Sequence, residues 1–360
     1  MSTSETPGCV NAAFPLTDHI FAPYHHPMIH RYSSFLPAIF VLLLAQGTSF
    51  SQAPAAAKGK NDGVSITEQD GKLRIEVNGQ LFAEYNYQNV TRPFFYPVMG
   101  AGGASMTRNW PMKETPGEDH DHVHHKGLWY THGDVNGHDF WAEGKNSGKT
   151  VHEKFIEIKS GSKMGSIKSQ NKLVASDGKV VCTDERTVRI HNDASDRILD
   201  FDITIHASHG AVTFGDTKEG TMAIRLAETM RVKLPKGKPG EGHIINSEGV
   251  RDDATWGKRA KWCDYYGPVD GKVVGVAIFD HPQNPRYPTW WHVRDYGLFA
   301  ANPFGIHDFE KLSDKTKGNW VLPAGDSATF RYRIYFHQGD EKQGKIAEHY
   351  QEYVQSTGSK

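Results

Sequence analysis

The chain has 360 residues, of which 38% are hydrophobic and 23% charged, with a formal net charge of −1. That composition belongs to a globular protein rather than a disordered one, and roughly 300 residues are expected to build the mature fold. A near-neutral charge supplies no basic excess to displace counterions from phosphates, so a nucleic-acid partner is excluded on electrostatic grounds.

The first 53 residues read as an N-terminal extension plus a signal peptide. Phe35–Ala45 (FLPAIFVLLLA) is apolar throughout, yet falls short of the ~20 residues that span a bilayer. His30 and Arg31 precede it and QGTSFSQA follows, the layout of a secretory leader with small residues at its exit. Met28 is the expected natural start. The mature protein is therefore expected in the periplasm or outside the cell, with no membrane span. Residues 54–63 (PAAAKGKNDG) form a polar linker, and 64–360 a single β domain.

From residue 64 the pattern is strand after strand. VSITEQ, KLRIEVNGQLFAEYNY, HEKFIEIKS, GSIKSQNKLVA, KVVCTDERTVRIHN, RILDFDITIHAS, TMAIRLAETMRVKL, KVVGVAIFD and ATFRYRIYFH follow one another, separated by Gly, Asn and Asp turns. Leu199, Phe201, Ile203 and Ile205 alternate with Asp200, Asp202, Thr204 and His206, which predicts half-buried antiparallel strands. Asp70-Gly71, Asn78-Gly79 and Asp177-Gly178 are hairpin signals. Such alternation fits two antiparallel sheets stacked as a sandwich. A helical period appears only over Lys342–Val354, predicting a short C-terminal helix. Cys182 and Cys263 are left to form either one disulfide or two separate buried thiols.

Three stretches break the alternation: Thr91–Gly148, Asn246–Asp270 and Asp280–Asp308. They read as long loops, and their wealth of Trp, His, Tyr and Phe marks them as functional rather than disordered. The densest, Asp119–Trp141, reads DHDHVHHKGLWYTHGDVNGHDFW. If extended, it would project His120, His122 and His124 to one side and His125 to the other. Imidazole serves as acid, base or hydrogen-bond partner near neutral pH without a metal. His124, His125 and His292 are accordingly the candidate acid/base groups, with Glu219 as the partnering carboxylate. No cofactor is required by this reading. Imidazoles interleaved with carboxylates also suit a divalent transition metal, for which His120, His122, His124 and Asp134 are the candidate ligands. Arg92, Lys126, Arg294, His281 and Asn302 are candidate substrate-binding groups, and Trp129 and Trp290 the candidate platform on which a carbohydrate or glycoside would stack.

The blocks RPFFYPV, DHDHVHHKGLWYTHGDVNGHDFW, FGDTKEGTMAIR and HPQNPRYPTWWHVRDYGLFAANPFG, in that order, resemble the secreted bacterial family DUF6807, also called the PmoA family after a methane oxygenase. The resemblance covers roughly residues 64–340. It implies export and, through the LPAGDSATFRYRIYFH ending, an architecture similar to the galactose-mutarotase-like supersandwich. A membrane oxygenase subunit needs an apolar span that the mature chain is expected to lack, so the oxygenase label implies little about activity. The expected protein is an exported carbohydrate-active enzyme doing acid/base chemistry as a lyase, epimerase or hydrolase. Two rivals stand beside it, a metal-dependent oxygenase or hydrolase built on the His120–His125 cluster and a non-catalytic carbohydrate-binding protein.

Overall fold

Alternating apolar and polar residues can satisfy their backbones and hide one face only by pairing side by side, and the chain does this almost throughout. The computed structural model describes residues 62–357; the signal peptide, the Met28 start and most of the linker lie outside the described residues. In chain order the strands are β1 (Val64–Gln69), β2 (Lys72–Val77), β3 (Gln80–Asn86), β4 (Phe94–Val98), β5 (Leu128–His132) and β6 (Lys149–Lys159). Next come β7 (Met164–Val174), β8 (Val180–His191), β9 (Arg197–His206), β10 (Val212–Phe214), β11 (Gly220–Arg225) and β12 (His243–Asn246). The last six are β13 (Trp262–Val269), β14 (Lys272–Asp280), β15 (Trp290–Val293), β16 (Leu298–Asn302), β17 (Trp320–Leu322) and β18 (Ser327–Gln338).

They form two eight-stranded antiparallel sheets. The first runs β1-β2-β3-β4-β5-β11-β16-β15 and the second β12-β13-β14-β18-β9-β8-β7-β6, with β10 and β17 as a separate pair. Their inner faces make one core, where Phe82 meets Phe336 edge-on at 5.8 Å and Tyr130 stacks on Phe201 at 6.2 Å. Leu199, Phe201, Ile203 and Ile205 of β9 all lie in it. The intervening polar residues lace the outer face of the second sheet, where Arg333 bonds Asp200 and Arg189 bonds Asp202 at 2.6 Å. This is the antiparallel sandwich that the alternation predicts.

Asp70-Gly71 and Asn78-Gly79 both take positive φ, the left-handed pair that a two-residue hairpin demands. At 177–178 only Gly178 is left-handed, so this hairpin has the longer loop with a single glycine bulge. Helix α1 (Ile306–Phe309) is one turn, and α2 (Ile346–Thr357) starts four residues later than its periodicity predicts. The delay has a cause: Asp340 accepts the backbone N–H groups of Lys342 and Gln343, and Gly344 passes so close to His337 that a side chain there would clash. Helix α2 packs Ile346, Tyr350 and Tyr353 against Phe279 and Tyr335 on the second sheet's outer face. Cys182 and Cys263 are separate, buried, free thiols; burial pushes the Cys182 thiol up to about 12. Among the described residues no helix is long and apolar enough to cross a membrane.

The three stretches expected to be loops contain strands. β4 and β5 lie in the first, β13 in the second, and β15 and β16 in the third. Every residue of β5, β15 and β16 is buried. A strand covered on both faces has no polar face to alternate with, so its sequence does not look like one.

Candidate functional site

What covers the first sheet on its outer side is the histidine-rich chain itself. The register sets Phe94 opposite Trp129, Trp129 opposite Ala223, Ala223 opposite Ala300 and Ala300 opposite His292. This single row crosses five strands on one face. The small Ala223 and Ala300 admit the ring of Trp141, which packs with Trp129, Phe94 and Leu298 into a satellite core. His292 ends the row, and the cluster from residues 119–125 closes over it, with His125 stacked on Trp129.

The 119–125 segment is not extended as expected. His122 has φ 42°, and the N–H of His125 bonds its carbonyl at 2.9 Å, a tight turn. The reason is two buried guanidiniums. Arg108 bonds the carbonyls of Asp119, Asp121 and His122, and Arg92 bonds the carbonyl of His124. Carbonyls satisfied by side chains have no need of a neighbouring strand.

The turn stacks His122 on His125 at 4.6 Å and, on its other side, on Tyr296 at 5.3 Å. Tyr296 belongs to the β15–β16 hairpin, whose turn depends on the left-handed Gly297 with φ 93°. Two segments more than 150 residues apart in sequence thus meet. Arg225, fully buried, ties them: it donates to Asp121 at 3.1 Å and to His125 Nδ1 at 3.3 Å, and its guanidinium lies 4.8 Å above the Tyr296 ring. Burial would raise the Asp121 carboxyl, but His122, Arg225 and Arg108 outweigh it and hold the group well below the usual carboxylate range.

His125 accepts from Arg225 on Nδ1, so its proton sits on Nε2, which is buried without a protein partner. Burial first, then the neighbouring His124 and Arg225, drives His125 far below its ordinary value. His124 is half-buried and brought down to about 4 by burial and Arg92. On the far side, the Trp256 indole N–H donates to His292 Nδ1 at 3.0 Å. The His292 proton is therefore on Nε2, which lies 4.0 Å from Glu219 Oε2. Burial, then Arg294, Lys218 and His122, push His292 down to about 3. Both imidazoles are neutral Nε2–H donors at neutral pH, their tautomers fixed by what bonds Nδ1.

The remaining candidates fall into distinct places. Arg92 is buried beneath the cluster, bonded to the Phe140 carbonyl at 3.2 Å and 3.5 Å from Glu143; Lys126 is bonded to the same Glu143 at 2.5 Å. Both brace the cluster from below. Asn302 donates to the carbonyls of Thr217 and Lys218, each at 2.9 Å, and so positions the segment that carries Glu219. His281 lies apart, edge-on to Tyr353 of α2 at 5.4 Å. Trp129 and Trp290 present no open face: they are 1% and 5% exposed, the first under His125 and Arg92, the second under Arg259 at 4.3 Å. The platform role expected of them is corrected by this burial. The aromatic rings at the surface of the cleft are instead Trp256 and Tyr296, half-buried, with Arg294 lying 5.8 Å and 5.6 Å from their centres.

The four candidate metal ligands are not brought together. His120 stacks on Trp110 at 4.0 Å, His122 is turned onto Tyr296, and Asp134 accepts the Gly137 N–H at 2.8 Å within its own turn. Among the described residues no group of three or more His, Cys, Asp or Glu side chains is arranged to hold a metal ion. No local sequence pattern marks the organising roles of Arg108 and Tyr296; both act through contacts distant in the chain.

The site is a buried layer of His125, His292, Arg225 and Arg108 under a more accessible rim of Asp121, His122, His124, Glu219, Trp256, Arg294 and Tyr296. Such an arrangement can bind an oxygen-rich ligand at the rim and transfer protons to it from below. A family described as "Family of unknown function (DUF6807)" matches residues 72–351. No curated protein matches the chain. Among solved structures, a polysaccharide lyase is similar over 79% of this chain and 33% of its own, at 12% identity and a TM-score of 0.33. The galactosidase domain of an alpha-galactosidase–sucrose kinase is similar over 78% of this chain and 41% of its own, at 7% identity and a TM-score of 0.34. A galactose mutarotase related enzyme from Lactobacillus acidophilus is similar over 76% and 97%, at 10% identity and a TM-score of 0.28. The chain thus spans about a third of the first and two fifths of the second, and all three carry names from carbohydrate chemistry.

Proposed function

The chain belongs to the DUF6807 family, and we propose that it is an exported carbohydrate-active enzyme that moves a proton between a sugar and the His292–Glu219 pair. Export rests on the Phe35–Ala45 run and its flanks. The observation that carries the chemistry is the approach of His292 Nε2 to Glu219 Oε2 at 4.0 Å with Nδ1 held by Trp256. A sugar oxygen entering beside them accepts the Nε2–H bond, while the carboxylate takes a proton from carbon or oxygen. Because burial keeps His292 neutral, the imidazole polarises the sugar oxygen instead of carrying a full charge into it. His124, neutral and at the rim, is the second proton acceptor. Positioned groups of this kind typically contribute ~10²–10⁴-fold each.

Incubating the protein with a glycan panel in D₂O tests this. Lyase or epimerase chemistry places deuterium on carbon or creates a new double bond, hydrolysis creates new reducing ends, and His292→Ala and Glu219→Gln should each remove whichever is seen. Glycan binding without any of these products, unchanged in His292→Ala, would establish the non-catalytic binding protein in its place.

A further inference from the structure

Several charges around the cleft are paired off. Arg225 and Arg108 share Asp121, Lys218 lies 3.2 Å from Glu219, and Arg231 bonds Glu228 at 2.7 Å. Arg294 has no carboxylate partner among the described residues. The acids nearest it in sequence and in its groove, Asp295 and Asp253, are both taken by Lys233. Its guanidinium is instead set between the Trp256 and Tyr296 rings, which fix its direction without neutralising it. It lines a groove of about 250 Å³ beside Trp256, the residue that holds His292.

A second observation agrees in sign. Around Tyr296, which Arg294 flanks, Arg225 Nε and His125 Nε2 are buried N–H donors that lack a protein partner. Buried donors left unmade are costly, about 1–3 kcal/mol each, and what satisfies them is an acceptor. An unpaired, ring-clamped guanidinium beside unmade donors calls for an oxyanion.

Resting on the carbohydrate reading, we propose that the sugar is acidic and that Arg294 holds its anionic group, a carboxylate or a sulfate ester. Bidentate pairing of guanidinium with oxyanion would orient the ring so that one face meets His292 and Glu219.

The test is a calorimetric binding series on the full chain with three oligosaccharides of one length: an oligogalacturonide, its methyl ester, and a sulfated galactan fragment. The acid and ester share a backbone and differ in one methyl group and in charge at each carboxyl. The inference predicts that the acid or the sulfated fragment binds at least about tenfold more tightly than the ester, the size of a charge-assisted hydrogen bond; whichever does names the source of the anion. Arg294→Ala should erase that preference, and Arg294→Lys should keep part of it. Equal binding of all three, or a preference that survives Arg294→Ala, overturns the inference and leaves the carbohydrate reading standing. Binding of none of the three, together with no turnover of any neutral glycan, overturns both.

Discussion

Two buried histidines in this protein differ in everything but burial. His337 of β18 is 1% exposed and His292 of β15 is 3% exposed. His337 Nε2 lies 2.9 Å from Asp264, which outweighs desolvation and raises the imidazole above its ordinary value. His292 has a neutral indole N–H on one nitrogen and a carboxylate only at 4.0 Å from the other; burial dominates, and it falls to about 3. The same contrast holds for the outer faces they serve. The second sheet's face is closed by the ladder of Arg333, Asp200, Arg189 and Asp202, whereas the first sheet's face keeps a neutral imidazole, a free guanidinium and unmade N–H donors. Pairing that is complete builds structure; pairing left incomplete marks the place where a ligand completes it.

The comparison breaks most visibly by mutation. His292→Ala should lower turnover by ~10²–10⁴-fold, while a thermal melt moves by no more than about 1–2 kcal/mol of stability. Its counterpart, His337→Ala, should do the reverse. Stripping the partner from buried Asp264 destabilises the fold by about 3 kcal/mol, and the rate per folded molecule stays unchanged. A combined melt and activity assay on the two variants reads both.

Acidity sharpens the contrast with opposite signs. His337 is raised in the fold, so its stabilisation is complete below the unfolded value near 6.5 and fades as pH climbs through the raised one. His292 is lowered, so its stabilisation is complete above 6.5 and is lost as pH falls from there toward about 3. Urea midpoints between pH 4 and 8 should therefore show an acid-side loss that His292→Gln reduces, and an alkaline-side loss that disappears with His337→Gln. The smallest expected effect is Trp256→Phe. Removing one neutral hydrogen bond worth about 1 kcal/mol releases the His292 tautomer, and kcat should fall roughly fivefold with KM little altered.

The sequence made the periphery of this fold easier to read than its centre. β8 and β9 face the core on one side and water on the other, so their alternation announces them. β5, β15 and β16 carry Trp129, Ala223's neighbours and His292, and are buried on both faces, which erases the signal and makes them look like loops. Site residues were legible by type: imidazoles, Glu219 and Arg294 stand out in DHDHVHH, KEG and WWHVRD. Their roles were not. Whether Trp129 is a platform or a floor depends on His125 closing over it. Whether 119–125 is a strand or a turn depends on Arg108 and Arg92 reaching its carbonyls from elsewhere. Tertiary contacts of that kind leave no local pattern.

Nitrogen-15 NMR of the imidazole rings reaches the central claim directly, with His292 and His337 assigned through their substitutions. The account predicts that His292 stays neutral with its proton on Nε2 from pH 8 down to pH 5, while His337 is already protonated at pH values above 6.5. An imidazole at position 292 that titrates near 6.5, or that carries its proton on Nδ1, would contradict it.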